Sequence, residues 1–218
     1  MPDRKTIKIE EGKKHLILCE GKDAEGFLNE YLRRTVEQRS AIQVSDFGGN
    51  QEFRKTLALL RNTDGFSDLC SLLVIRDAET NAQVAFDQVR FALKDYQFAM
   101  PKTQGEWEEG TPRTCFLLFP CLGRILKAGT LEDLCLSILA ENESGNVMGR
   151  IDTFLDTLNQ DGLRDFSHLH KTRLHTYFSI TNKLVTKNVG LAAQAGAFDW
   201  SHPNLDPLKD CLSKMEEG

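Results

Sequence analysis

No run of apolar residues in this chain approaches the roughly 20 that a membrane-spanning helix requires, so a helix-anchored membrane protein is not expected. The first residues, MPDRKTIKIEEGKK, are charged and hold no apolar signal core, which predicts a cytoplasmic protein. Six cysteines (Cys19, Cys70, Cys115, Cys121, Cys135 and Cys211) include no C-x-x-C pair, which argues against a zinc knuckle. They fall mostly inside apolar runs, as buried reduced thiols do, and do not read as a secreted disulfide framework. No G-x-x-x-x-G-K-[ST] occurs, which excludes a P-loop nucleotide triphosphatase. Nor is there an excess of positive charge: 27 Lys and Arg stand against 32 Asp and Glu, a net charge of -5. Any contact with a polyanion must therefore be local. Internal repeats and low-complexity tracts are also lacking.

What is present is enough for one good core with a small appendage, since 218 residues are 40% hydrophobic. Short apolar runs at residues 15–19, 41–47, 71–75 and 115–119 read as strands. Between them, Phe27, Leu28, Tyr31, Leu32 and Val36 recur at helical spacing, as do Phe53, Leu57 and Leu60, and then Phe86, Val89, Leu93 and Tyr96. Continuous apolar strands joined through helices predict an α/β fold with a mostly parallel central sheet covered on both faces. Residues 100–112, rich in Gly, Pro and charge, read as an exposed loop. Thr130 and Asp133 form a capping-box pattern ahead of a helix with Leu131, Leu134, Cys135, Ile138 and Leu139 on its stripe. Beyond it only helices are expected: one marked by Ile151, Phe154, Leu155 and Leu158, one by Leu174, Tyr177, Phe178, Thr181, Leu184 and Val185, and a last one opening at Asp206-Pro207. The expected organisation is an α/β domain over residues 1–140 and a helical extension over 141–218 packed on it.

Two strand ends carry acids. In LILCEGKDAEGFL the run ends at Glu20-Gly21, and in LLVIRDAET it is followed by Asp77 and Glu79, two residues apart, so that an extended chain points both the same way. The carboxyl ends of parallel strands share one edge, where ligands collect, so the three carboxylates are expected to converge. Clustered acids repel unless a cation joins them, and oxygen donors without His or Cys suit Mg2+ or Mn2+. Structural roles compete with this. Glu20 is well placed as an acid at a helix N-terminus, and Asp77 as the cap of the helix after its strand.

DFGGN, residues 46–50, places Gly48 and Gly49 before a helix, where backbone amides can approach a phosphate, although a tight turn explains the glycines equally well. His168, His170, His175 and His202 read as surface or capping histidines. The stretch from Lys171 and Arg173 to Lys183 and Lys187 is locally basic in an otherwise acidic chain, either as a solvated face or as a source of phosphate contacts.

A hydrophobic strand, Glu-Gly, a helix, and a later hydrophobic strand ending in an acidic pair resemble the toprim pattern shared by topoisomerases, primases and the overcoming-lysogenization-defect nucleases. The matching residues are Glu20-Gly21 and Asp77-Ala78-Glu79, and the resemblance covers roughly residues 13–140. It extends to small stand-alone bacterial toprim-like proteins with a LEDL helix and a terminal segment like HPNLDPLKDCL. The resemblance implies a toprim-like Rossmannoid fold, with Glu20 as general acid or base or as a metal ligand, and Asp77 and Glu79 holding Mg2+ or Mn2+. Glu132 becomes the candidate for a further acid from beyond the sheet. From the residues themselves, Lys171 is the candidate cation countering charge at a scissile phosphate, and Gly21, Gly48 and Gly49 are candidate phosphate-binding positions. Two departures bear on a two-metal site: the pair ends in Glu79 rather than Asp, and Ala24 occupies the place four after Glu20 where related nucleases often have an acid, with Asp23 one place earlier. The implied activity is divalent-metal-dependent phosphodiester processing, foremost a nuclease acting on DNA or RNA. The alternative is a non-catalytic module that holds a metal-bound nucleotide or a nucleic-acid end for a partner protein. VIRDAET also resembles the D-x-D-x-T nucleophile motif of haloacid-dehalogenase phosphatases, but that motif ends a first strand and has Asp where this chain has Glu79.

Overall fold

The computed structural model describes residues 7–37, 39–142 and 145–215. Four strands, β1 (His15–Cys19), β2 (Ile42–Asp46), β3 (Ser71–Asp77) and β4 (Arg113–Phe119), form one parallel sheet in the order β2-β1-β3-β4. His15 stands opposite Ile42 on one side and Ser71 on the other, and Ser71 opposite Arg113, so the strands run in step to a common carboxyl edge. Helices α1 (Gly21–Thr35), α2 (Asn50–Leu60) and α3 (Ala82–Asp95) link the strands; α4 (Leu131–Asn142), α5 (Val147–Gln160), α6 (Leu169–Ile180), α7 (Val189–Gln194) and α8 (Asp206–Met215) follow. This is an α/β, Rossmann-like fold with a C-terminal run of helices.

HLILC forms a strand because every residue in it has a buried partner layer. Alternate residues serve opposite faces. Ile17, Cys19, Leu73, Ile75 and Cys115 join a core with Phe27 of α1, Ile138 of α4, Phe178 of α6 and Cys211 of α8. Leu16, Leu18, Leu72, Val74 and Phe116 join a second core with Leu57 of α2 and Val89 of α3. The C-terminal helices thus share the first core with the sheet itself, and residue 140 lies inside the last turn of α4.

Several boundaries differ from those read in the sequence. Strand β3 runs on through Arg76 to Asp77, and β4 starts at Arg113, because backbone pairing between them continues past the apolar residues. Helix α6 stops at Ile180, where Thr181 turns extended and its hydroxyl donates to the Tyr177 carbonyl, so Leu184 and Val185 lie outside it. Residues 100–112 are not simply an exposed loop. Gln104 is buried, donating through Nε2 to the carbonyls of Cys121, Gly123 and Ile125, and the Trp107 indole donates to the Cys211 carbonyl at 3.1 Å. Helix α7 crosses α1 where glycine meets glycine: a Cβ on Gly26 would lie 2.8 Å from the Gly190 Cα. Asp23 fixes the crossing by accepting from the Gly190 amide at 3.2 Å.

Candidate metal centre at the carboxyl edge of the sheet

The ladder between β1 and β3 continues one residue past β1, with the Glu20 amide donating to the Ile75 carbonyl at 3.1 Å. Glu20 is thereby held beside Arg76 while the chain turns into α1. The turn requires Gly21, whose φ of +85° is strained for any residue with a Cβ. Glu20 occupies the N-cap position of α1 but its side chain makes no cap hydrogen bond. Its Oε2 instead lies 3.6 Å from Nε of Arg76, a guanidinium only 1% exposed, whose Nη1 donates to Gln88 Oε1 at 3.3 Å.

Asp77 does act as a cap, but for a helix far away in sequence. Its Oδ1 accepts from the Leu131 amide at 2.9 Å, at the start of α4, whereas α3, the helix after its own strand, is capped by Asn81. Burial pushes the Asp77 carboxyl up to about 8, and the charge of Glu20 is the next largest cause. Glu132 and Glu79 raise it further, while the Leu131 amide works in the opposite direction. A buried carboxyl surrounded by like charge holds its proton because ionisation there is poorly solvated and repelled.

Glu79 does not follow the extended alternation expected of it. Its backbone pairs with Gly129 in both directions, at 2.9 and 2.7 Å, and its φ is +54°, so its exposed side chain leaves the strand direction that Asp77 follows. A left-handed glutamate is uncommon, and such backbone conformations cluster at functional sites. Glu132, in the first turn of α4, is buried and lies 3.5 Å from the ammonium of Lys171 on α6. Glu20, Glu79 and Glu132 therefore all act electrostatically on Asp77, and Lys171 reaches one of them, Glu132.

The glycines play another part. Gly21 and Gly48 both donate their amides to Asp46 Oδ1, at 3.0 and 2.5 Å, and Lys22 Nζ is 3.7 Å from the other oxygen. A phosphate at these amides would have to displace that carboxylate. Gly49 takes the N-cap position of α2. His202 caps the 3-10 turn at Pro203–Leu205 by accepting from the Asn204 amide, and the rings of His168 and His170 meet edge to face at 6.0 Å.

Asp46 and Arg76 are the residues that the sequence reading passed over. An acid closing the second apolar run, and an arginine directly before Asp77, were the visible signals. Oxygen donors alone, with one carboxyl protonated because it is buried and its neighbours are negative, suit a hard divalent cation in chemistry. Among the described residues no three His, Cys, Asp or Glu side chains are grouped to hold a metal.

Fold and site define an α/β protein whose parallel sheet carries a cluster of interacting acids at its carboxyl edge. The chain belongs to the family described as "Protein of unknown function (DUF3226)", which matches residues 14–217. No curated protein and no solved structure matches it. Among the described residues, no helix is long and apolar enough to cross a membrane.

Proposed function

We propose that this protein processes phosphodiesters with a divalent metal ion, Mg2+ or Mn2+, in the manner of a toprim-type nuclease acting on DNA or RNA. The observation that carries the reading is Asp77, a carboxyl held protonated up to about 8 by burial and the acids around it at the carboxyl edge of a parallel sheet. Asp77, Glu20 and Glu132 are the residues that would hold the ion, with Glu79 contributing from the bridge to Gly129. When bound, such an ion polarises a phosphate and lowers the pKa of a coordinated water. Glu20, set between the turn at Gly21 and the Arg76 guanidinium, moves the proton at the reacting oxygen. Arg76 keeps that carboxylate oriented. Lys171, exposed and 3.5 Å from Glu132, is the cation that would counter charge developing on the phosphate. The thiols, mostly buried, suit a reducing cytoplasm.

A second reading has its own observation. Arg76 and Lys171 already pair with Glu20 and Glu132, as in a site that binds without reacting, and a non-catalytic module presenting a metal-bound nucleotide or strand end to a partner protein would look the same. End-labelled DNA and RNA strands incubated with the protein in Mn2+ or Mg2+, with and without chelator, separate the two. The nuclease reading expects chelator-sensitive cleavage that falls by roughly 100-fold or more in Glu20→Gln while strand binding persists. Metal-dependent binding with no cleavage by wild type would replace it with the module.

A further inference from the structure

From Phe166 to Phe198 the chain contains no Asp or Glu, although 32 acids are spread over its 218 residues. The same stretch carries Lys171, Arg173, Lys183 and Lys187 with three histidines. Its first helix, α6, buries Leu174, Tyr177 and Phe178. On another face His168, Lys171, Thr172, His175, Thr176 and Ser179 follow one another at helical spacings and line an open groove of about 650 Å3. Phe166 and Ile180 add apolar surface, and Asp165 is the one acid lining it. Arg173 points elsewhere, held by both oxygens of Asp152 at 2.6 and 2.8 Å. The groove is tied to the acidic edge by Lys171, which lines it and also reaches Glu132 at 3.5 Å.

We infer that this face of α6 is the track along which a single nucleic-acid strand reaches the carboxylate cluster, its phosphates lying along the polar stripe and its bases against Phe166 and Ile180. The inference rests on the phosphodiester reading above and names where its substrate lies, outside the strands and turns that carry the acids. The complementarity is one of charge and shape. A chain of net charge -5 offers a polyanion no overall attraction, so a strand gains most where acids are sparse, and the longest acid-free stretch of the sequence reaches Glu132 through Lys171. From His168 to Ser179 the helix rises roughly 16 Å, enough for several phosphates of a strand. Hydroxyls and imidazoles offer hydrogen-bond donors, and an aromatic ring and an aliphatic side chain offer faces to any base, a combination that binds strands without reading sequence.

Ser179 is suited to the test because it is exposed, far along the groove from Lys171, and donates locally to the His175 carbonyl of its own helix, at 2.8 Å. Binding of fluorescent single-stranded DNA and RNA 15-mers is measured by anisotropy in Ca2+ with full-length protein, over a series of salt concentrations. Ser179→Glu should weaken binding by roughly three- to tenfold, and Ser179→Lys should strengthen it and steepen the logarithmic salt dependence by about 0.7. Ser213→Glu, at an exposed helical serine of α8 with the same local bond to Lys209, should change nothing. The DNA and RNA arms identify which strand the track takes. If wild type binds and both Ser179 variants bind as it does, the track lies elsewhere and the phosphodiester reading stands. If wild type binds neither strand while Asp77-dependent metal binding persists, the track is overturned and the metal centre is not.

Discussion

Asp77 is pulled two ways. Its Oδ1 caps α4 through the Leu131 amide, which favours the carboxylate, while burial and the neighbouring acids favour the protonated form and prevail, up to about 8. In the unfolded chain an aspartate titrates near 3.9. The folded metal-free protein therefore binds one more proton between about pH 4 and pH 8, and this contribution to stability, complete below pH 4, is lost as pH rises through 8. Metal-free protein should melt lower at pH 9 than at pH 5 on this account, and Asp77→Asn, which keeps the acceptor oxygen but cannot ionise, should remove most of that difference. Asp77→Ala should relieve the same repulsion yet give up about 1 kcal/mol of capping, so Asn should melt above Ala at pH 9. Thermal melts of the three proteins in chelator measure this, and an unchanged pH dependence in Asp77→Asn would show that the carboxyl is not held protonated. Glu20 and Asp77 were legible in the sequence because each closes an apolar run. Asp46 closes an apolar run too, but its role and that of Arg76 depend on partners across the sheet: Asp46 serves the Gly21 turn, and Arg76 meets Glu20 only when β1 and β3 are in register. Glu79 misled because its direction is set by a bridge to Gly129, which no local pattern announces.

At the scale of elements, the contact between α1 and α7 is the tightest test of the packing. A Cβ at Gly26 would stand 2.8 Å from the Gly190 Cα, and neither backbone can yield as a flexible side chain would. Gly26→Ala should therefore destabilise by roughly 1–3 kcal/mol and lower Tm by roughly 2–10 °C. Far-UV circular dichroism on heating reads this directly, and a rise in Tm, as expected for Ala in an unconstrained helix, would mean the helices are farther apart. The β1, β2 and β3 cores, the strand-helix alternation and the α4 cap region were readable because apolar runs and helical stripes there are long enough to show their period. Helix α7 was not, since VGLAAQ has six residues, mostly small, and its identity comes from Asn188 capping it and from Gly190 fitting Gly26. The α6 stripe ran past Ile180 in the sequence, but the hydroxyl of Thr181 turned back to Tyr177 where the chain leaves the helix.

At the scale of the whole molecule, the common carboxyl edge of the sheet is what gathers acids. The parallel sheet brings strand ends into line, so acids that are remote in sequence face one another. The acid-free stretch from Phe166 to Phe198 reaches one of them, Glu132, through Lys171, and on the proposed track this is where a polyanion would meet the edge. The central claim is that the carboxyl edge is a divalent-cation site, and calorimetry of Mn2+ binding at pH 7 in two buffers of different ionisation enthalpy tests it most directly. Because Asp77 is mostly protonated at that pH, metal binding should expel up to one proton to the buffer, making the observed heat buffer-dependent. The dependence should vanish at pH 9, and the binding itself should be lost in Asp77→Asn. Wild-type binding with no proton release at pH 7 and with affinity unchanged in Asp77→Asn, or no Mn2+ binding at all, would contradict the account.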